Sequence, residues 1–238
     1  ETMMPCLVQL SAGEDDFIQA ERLFLLAKKA RIEGLPIYLN MDHGRNLKRL
    51  ESLIRLGFDM VHFDGSNDDL RSNLSLSQFF ISRVHQVNPD AMVEAEFNHI
   101  QSVDGPHPSS NLTDPQQAQD FVSKTGCDLL AVSVGNLHGA PQSGIEKINL
   151  PLLQQINQAI PDTYLTLHGG SGIDSSQISQ AIKTGIVKIN INTDLRLKFK
   201  HSLADNLSAV SSEKIYDYFQ PLVLDLKNLV ISKLREFA

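Results

Sequence analysis

Short apolar runs alternate along this chain with longer stretches in which apolar side chains recur at helical spacing. The short runs are Cys6–Leu10, Ile37–Met41, Met60–Asp64, Met92–Phe97, Leu129–Val134, Tyr164–Leu167 and Val187–Ile191. They read as apolar on both alternating sets, the pattern of parallel strands covered on both faces. Helix ends are legible between them. Thr113-Asp114-Pro115 supplies a capping side chain and a first-turn proline, and Gly126 closes that helix. Gly34, Gly57 and Gly185 stop others just before the next strand. The outcome is a series of βα units whose polar clusters recur after nearly every strand. An open doubly wound sheet would gather them at one switch point. The pattern therefore predicts an α/β fold of the (β/α)8 TIM barrel type, with residues 1–238 forming a single barrel domain. One strand is lacking for closure, and the first strand is expected upstream of Glu1, missing from this chain.

Composition narrows the functional classes. A chain of 238 residues with 42% hydrophobic content can bury one sizeable core. A formal net charge of −7 and the lack of any Lys/Arg-rich run argue against a nucleic-acid partner. No apolar run approaches the roughly 18–20 residues that span a bilayer, so no membrane partner is expected. Two cysteines, Cys6 and Cys127, lie in apolar stretches and read as small buried residues of a reducing, cytoplasmic compartment.

Chemistry concentrates where strands end. His43 occurs as Asp42-His43-Gly44, His138 as Leu137-His138-Gly139, and His168 opens His168-Gly169-Gly170-Ser171-Gly172. In a parallel barrel the strand C-termini share one face. Three imidazoles meeting there would leave a fourth metal position open, as a catalytic Zn²⁺ site requires, with Fe²⁺ or Co²⁺ also suited. Taken alone, Asp42 would equally serve as a helix cap and His43 as a satisfied polar residue. Adjacent strand residues face opposite ways, so both reach one site only if the strand turns there. Gly169, Gly170 and Ser171 precede a helix running from about Asp174, which makes an anion cradle. Asn190-Ile191-Asn192-Thr193 adds polar groups on the neighbouring loop, and phosphate binding across the last two loops recurs in such barrels. Asp64 and Glu96 are candidate ligands of a second metal, or barrel-mouth hydrogen-bonding groups beside Glu94. The loop Gln101–Asn111 is a lid candidate.

These motifs, in this order and spacing from Cys6 to about Phe237, resemble the class II, metal-dependent ketose-bisphosphate aldolases. The segments that carry the resemblance are Asp42-His43-Gly44, Asp64-Gly65-Ser66, Glu94-Ala95-Glu96, His138-Gly139-Ala140, His168-Gly169-Gly170-Ser171-Gly172 and Lys188-Ile189-Asn190. The resemblance implies that His43, His138 and His168 bind zinc and that Asp42 is the acid/base at the substrate's C4 hydroxyl. It implies a phosphate held by Gly139, Gly169, Gly170, Ser171 and Thr193, with Ser11 on the substrate and Asn190 on the enediolate. It further implies a monovalent cation near the phosphate, a small phosphorylated sugar as substrate, dihydroxyacetone phosphate as one product, and a homo-oligomer, dimer or tetramer. The chain departs from the family at four places. Asn40 stands where the family usually has His, and Gln101–His107 replaces an acidic lid, leaving Asp104 as the proton-donating acid, with His99 and His107 as outside candidates. Pro141-Gln142 replaces Tyr-Lys, and a late Asp-Pro-Arg is not evident near Lys214. The rival readings are a non-catalytic paralogue that supports an active partner subunit, and a zinc hydrolase on the same barrel.

Overall fold

The computed structural model describes residues 2–100, 112–137, 139 and 147–238. Its strands are β1 (Cys6–Leu10), β2 (Ile37–Gly44), β3 (Met60–Asp64), β4 (Met92–Glu96), β5 (Leu129–Ala131), β6 (Tyr164–Leu167) and β7 (Ile186–Ile189). They form one seven-stranded sheet in sequence order, and every neighbouring pair is parallel. The helices are α1 (Ala12–Ile18), α2 (Ala20–Ile32), α3 (Leu47–Leu56), α4 (Leu70–Val87), α5 (Pro115–Thr125), α6 (Leu150–Ala159), α7 (Ser175–Lys183), α8 (Thr193–Ala209) and α9 (Ile215–Glu236).

The punctuation read from the sequence operates as expected. Asp114 caps α5 by accepting from Gln117 N, proline occupies its first turn, and Gly126 closes it in the left-handed region. Gly57 closes α3 at φ 115°, a conformation in which a side chain is strained. Asp174 caps α7 through Ser176 N.

Two expectations are corrected. The strands are not apolar on both faces. One alternating set (Val61 and Phe63, Val93 and Ala95, Leu165 and Leu167) packs under the helices in a core with Leu53, Phe80, Phe121, Leu153 and Ile178. The other set is polar and buried: His62, Glu94, Glu96, Thr166, His168 and Lys188. The short strands concealed this, because two or three inward positions per strand are too few to outweigh the apolar set. Strand ends also differ. β5 stops at Ala131, not Val134: Val132 N still reaches Thr166 O at 3.1 Å, but the amides after it turn to side chains, Ser133 N donating to Thr113 Oγ1 at 2.9 Å and Val134 N to Asn136 Oδ1 at 2.8 Å. Cys127 is buried but precedes β5, and Cys6 is only half-buried.

The sheet curls until its ends approach. Asp42 on β2 is hydrogen-bonded both to Gln9 on β1 and to Asn190 just past β7. Lys188 on β7 reaches across the interior to Glu94 on β4 at 2.5 Å. An apolar groove of about 610 Å³ separates the edges of β1 and β7 and is floored by side chains such as Leu234 of α9 and Phe237 just past it. Among the described residues no eighth strand occupies that seam. No helix among the described residues is long and apolar enough to cross a membrane.

Candidate metal centre and active site

The curled sheet brings its polar interior set to one end. Asp42, His43, His62 and His168 place one ligand atom each within 4.8 Å of one another, and His43, Asp64 and Glu96 form an adjoining group. The backbone explains how Asp42 and His43, neighbours in sequence, both face inward. The β2–β3 register shifts between Met41 and Gly44, and His43 has φ 107°. A bulge of this kind re-aims a side chain that regular pleating would send outward. Asp42 caps no helix; α3 is capped by Asn46.

Carboxylates set the imidazole tautomers. Glu94 Oε1 lies 2.6 Å from His168 Nε2, and Asp64 Oδ2 lies 3.2 Å from His43 Nδ1. A carboxylate accepts, so each of those nitrogens carries a proton, and in the neutral ring, the form that takes a metal, the opposite nitrogen presents its lone pair. The two lone-pair nitrogens, His43 Nε2 and His168 Nδ1, face each other at 3.0 Å. Two lone pairs that close repel unless a cation or proton lies between them. Zn–N bonds are about 2.0–2.1 Å, so both nitrogens can reach one ion. The donor set thus fits a metal of the zinc type. His138 lies outside the described residues, as do Asp104, His107, Pro141-Gln142 and the expected lid Gln101–Asn111.

Charge in the cluster follows from burial and partners. Burial pushes the Glu96 carboxyl up to about 8, with the charge of Asp64 adding to it. For Glu94, burial acts in the same direction, but the Lys188 ammonium and the imidazoles outweigh it and hold the carboxyl well below its ordinary range. Burial opposes ionisation of Asp42 too, yet the hydrogen bond to His62 and the cationic neighbours keep it a carboxylate. Burial would neutralise His43, but the bond to Asp64 and the charges of Asp42 and Glu96 raise it to about 9. His62, fully buried and next to His43, is pushed down to about 4.

The glycine-rich turn is shaped for close approach. Gly169 and Gly172 have φ 67° and 85°. At Gly170 a Cβ would meet Ile189 Cγ2 at 2.6 Å. Ser171 is buried and its hydroxyl accepts from Asp194 N at 3.3 Å, so this turn and the first turn of α8, where Thr193 sits, lie together. Gly139 has φ 111°. Ser11 stands apart in its bonding: its N and Oγ both donate to Glu14 Oε2, at 2.8 and 2.9 Å, at the start of α1.

Sequence reading missed His62. It lies two residues before Asp64 on β3 and pairs in register with Glu94, as Asp64 does with Glu96. Period-two alternation from Asp64 was the available signal.

Fold and cluster together define a parallel α/β, barrel-like protein with imidazoles and carboxylates gathered at the strand C-termini. The family model for class-II fructose-bisphosphate aldolase matches residues 1–238, and the chain belongs to that family. The fructose-bisphosphate aldolase of Streptococcus pneumoniae serotype 4 is 32% identical over 90% of this chain and 75% of its own length. That of Stutzerimonas stutzeri is 30% identical, covering 100% of this chain and 80% of its own. The crystal structure of the YdjI aldolase from Escherichia coli K12 superposes with a TM-score of 0.86 at 26% identity, covering 100% of this chain and 83% of that one. Family membership and these names support an aldolase activity.

Proposed function

We propose that this protein is a zinc-dependent aldolase that reversibly cleaves a phosphorylated ketose, of the fructose- or tagatose-bisphosphate kind, to dihydroxyacetone phosphate and an aldehyde. The observation that carries the reading is the facing pair His43 Nε2 and His168 Nδ1, with Asp42 Oδ2 3.8 Å from His43 Nε2. His43 and His168, with His138, would hold the ion, which when bound polarises the ketose carbonyl. Asp42, kept ionised, accepts the C4 hydroxyl proton as the C3–C4 bond breaks and returns it in the reverse direction. Asn190, whose Nδ2 reaches Asp42, would donate to the enediolate oxygen. Gly139, Gly169, Gly170, Ser171 and Thr193 would take the phosphate on backbone N–H and hydroxyl groups at the N-terminus of α8, with a monovalent cation beside it. Asp104 would protonate the enediolate. Asp64 and Glu96 would hold a second cation position. We assign the protein to the cytoplasm and to a homo-oligomer, for which exposed Ile215, Tyr216, Val223 and Leu224 on α9 offer apolar surface.

The test is solvent-isotope exchange into dihydroxyacetone phosphate by the zinc-loaded protein, with a chelated control. Zinc-dependent exchange is expected, since proton abstraction requires no choice of aldehyde. Zinc bound in stoichiometric amount without exchange would overturn the reading.

A further inference from the structure

We infer that His62 is a positioning residue: its imidazole Nδ1–H, together with Gln9 and Asn190, fixes the Asp42 carboxylate in its working orientation. This rests on the proposed role of Asp42. His62 Nδ1 lies 3.3 Å from Asp42 Oδ1. The same carboxylate takes Gln9 Nε2 on Oδ2 at 3.2 Å and Asn190 Nδ2 at 3.2–3.3 Å. Gln9 has its own orientation set, because Asn40 Nδ2 donates to Gln9 Oε1 at 3.1 Å, which leaves the Gln9 amide N–H groups for Asp42.

His62 is neither solvent-exposed nor part of the apolar core. It is 0% exposed and stands among His43, His168, Glu94 and Glu96, with ring centroids 4.3 Å from His43 and 5.1 Å from His168. Burying a polar ring is costly unless it is hydrogen-bonded. The bond it makes is to Asp42. Its Nε2 finds no partner, and the nearest acid oxygen, Glu96 Oε2, is 3.7 Å away and likewise unpartnered. A neutral imidazole has one donor only. With Nδ1 against a carboxylate, the donor is on Nδ1 and the lone pair on Nε2. On β2 itself Asn40 engages Gln9, and the imidazole that touches Asp42 comes from β3, the next strand.

Two measurements test this, the first independent of turnover. Imidazole ¹⁵N NMR of the intact protein, chelated and zinc-loaded, should show His62 neutral and protonated on Nδ1. A resonance protonated on Nε2 would overturn the assignment whatever the activity. The second compares H62Q, whose amide reaches the Nε2 position, with H62N, whose amide stands at Nδ1. Cleavage of fructose 1,6-bisphosphate by H62Q should fall about 10–100-fold in kcat with KM and zinc content nearly unchanged. Exchange into dihydroxyacetone phosphate should fall less, because Asp42 acts at C4 and not at the exchanging carbon. H62N should recover part of the lost kcat. Equal losses in both variants, or zinc lost with H62Q, would overturn the role. Exchange absent from the unmodified protein, with the Nδ1–H tautomer present, would sink the aldolase reading and leave the His62–Asp42 contact standing.

Discussion

His43 combines two properties that seldom coincide, a metal-competent imidazole and a backbone in the left-handed region at φ 107°. For a residue with a Cβ that conformation costs about 1–2 kcal/mol, and here it is what turns the side chain inward beside Asp42. Substituting His43 therefore separates backbone from chemistry. H43G and H43A should both lose zinc, read by metal analysis after dialysis. H43G should nevertheless be more stable to urea than H43A by about 1–2 kcal/mol, because only glycine accepts this φ without strain. Equal stability of the two would mean that the bulge relaxes when the imidazole is removed.

Among elements, the junction of α1, α2 and α3 shows how a short first helix is secured. Asp15 on α1 accepts Arg49 Nε and Nη2 from α3, both at 2.8 Å, and the free N–H of Ala20 at the start of α2 at 2.9 Å. The hydrogen bonds from Arg49 lead the lowering of its pKa, against an opposing effect of burial. A folded-state pKa below the unfolded value of about 3.9 means that this stabilisation is complete above that pH. It is lost as pH falls through the lower folded value. D15N should cost about 1.5–3 kcal/mol at neutral pH. The difference from the unmodified protein should shrink as denaturation is repeated at successively more acidic pH below 3.9. A gap that stays constant into strong acid would show that the carboxylate charge is not what holds the junction.

Across the whole molecule, the sheet is cross-braced through its interior. Glu94 on β4 accepts from Lys188 on β7 and His168 beyond β6, with Thr166 Oγ1 at 3.2 Å. Breaking a buried pair leaves an uncompensated charge, so K188M should destabilise by about 3–5 kcal/mol in chemical denaturation. Adding E94Q should restore part of that loss, a coupling that would be absent if each residue acted alone. The order of strands and helices, the caps Asp114 and Gly126, and the turns at His43-Gly44 and His168-Gly169 were legible along the chain. Each is written in residues a few positions apart, where turn chemistry and periodicity act locally. The site was legible only in part. Asp42, His43 and His168 stand out beside glycines, but His62, Gln9 and Lys188 sit within apolar-looking strands. Which alternating set of a strand points inward depends on how the sheet curls, and that is decided by pairing between strands far apart in sequence. Local pattern alone thus determined the βα elements and the imidazoles at their ends. Tertiary structure decided the polar interior, the bulge that turns His43 inward and the grip on Asp42, because those depend on side chains from β1, β2, β3 and β7 meeting across one curled sheet.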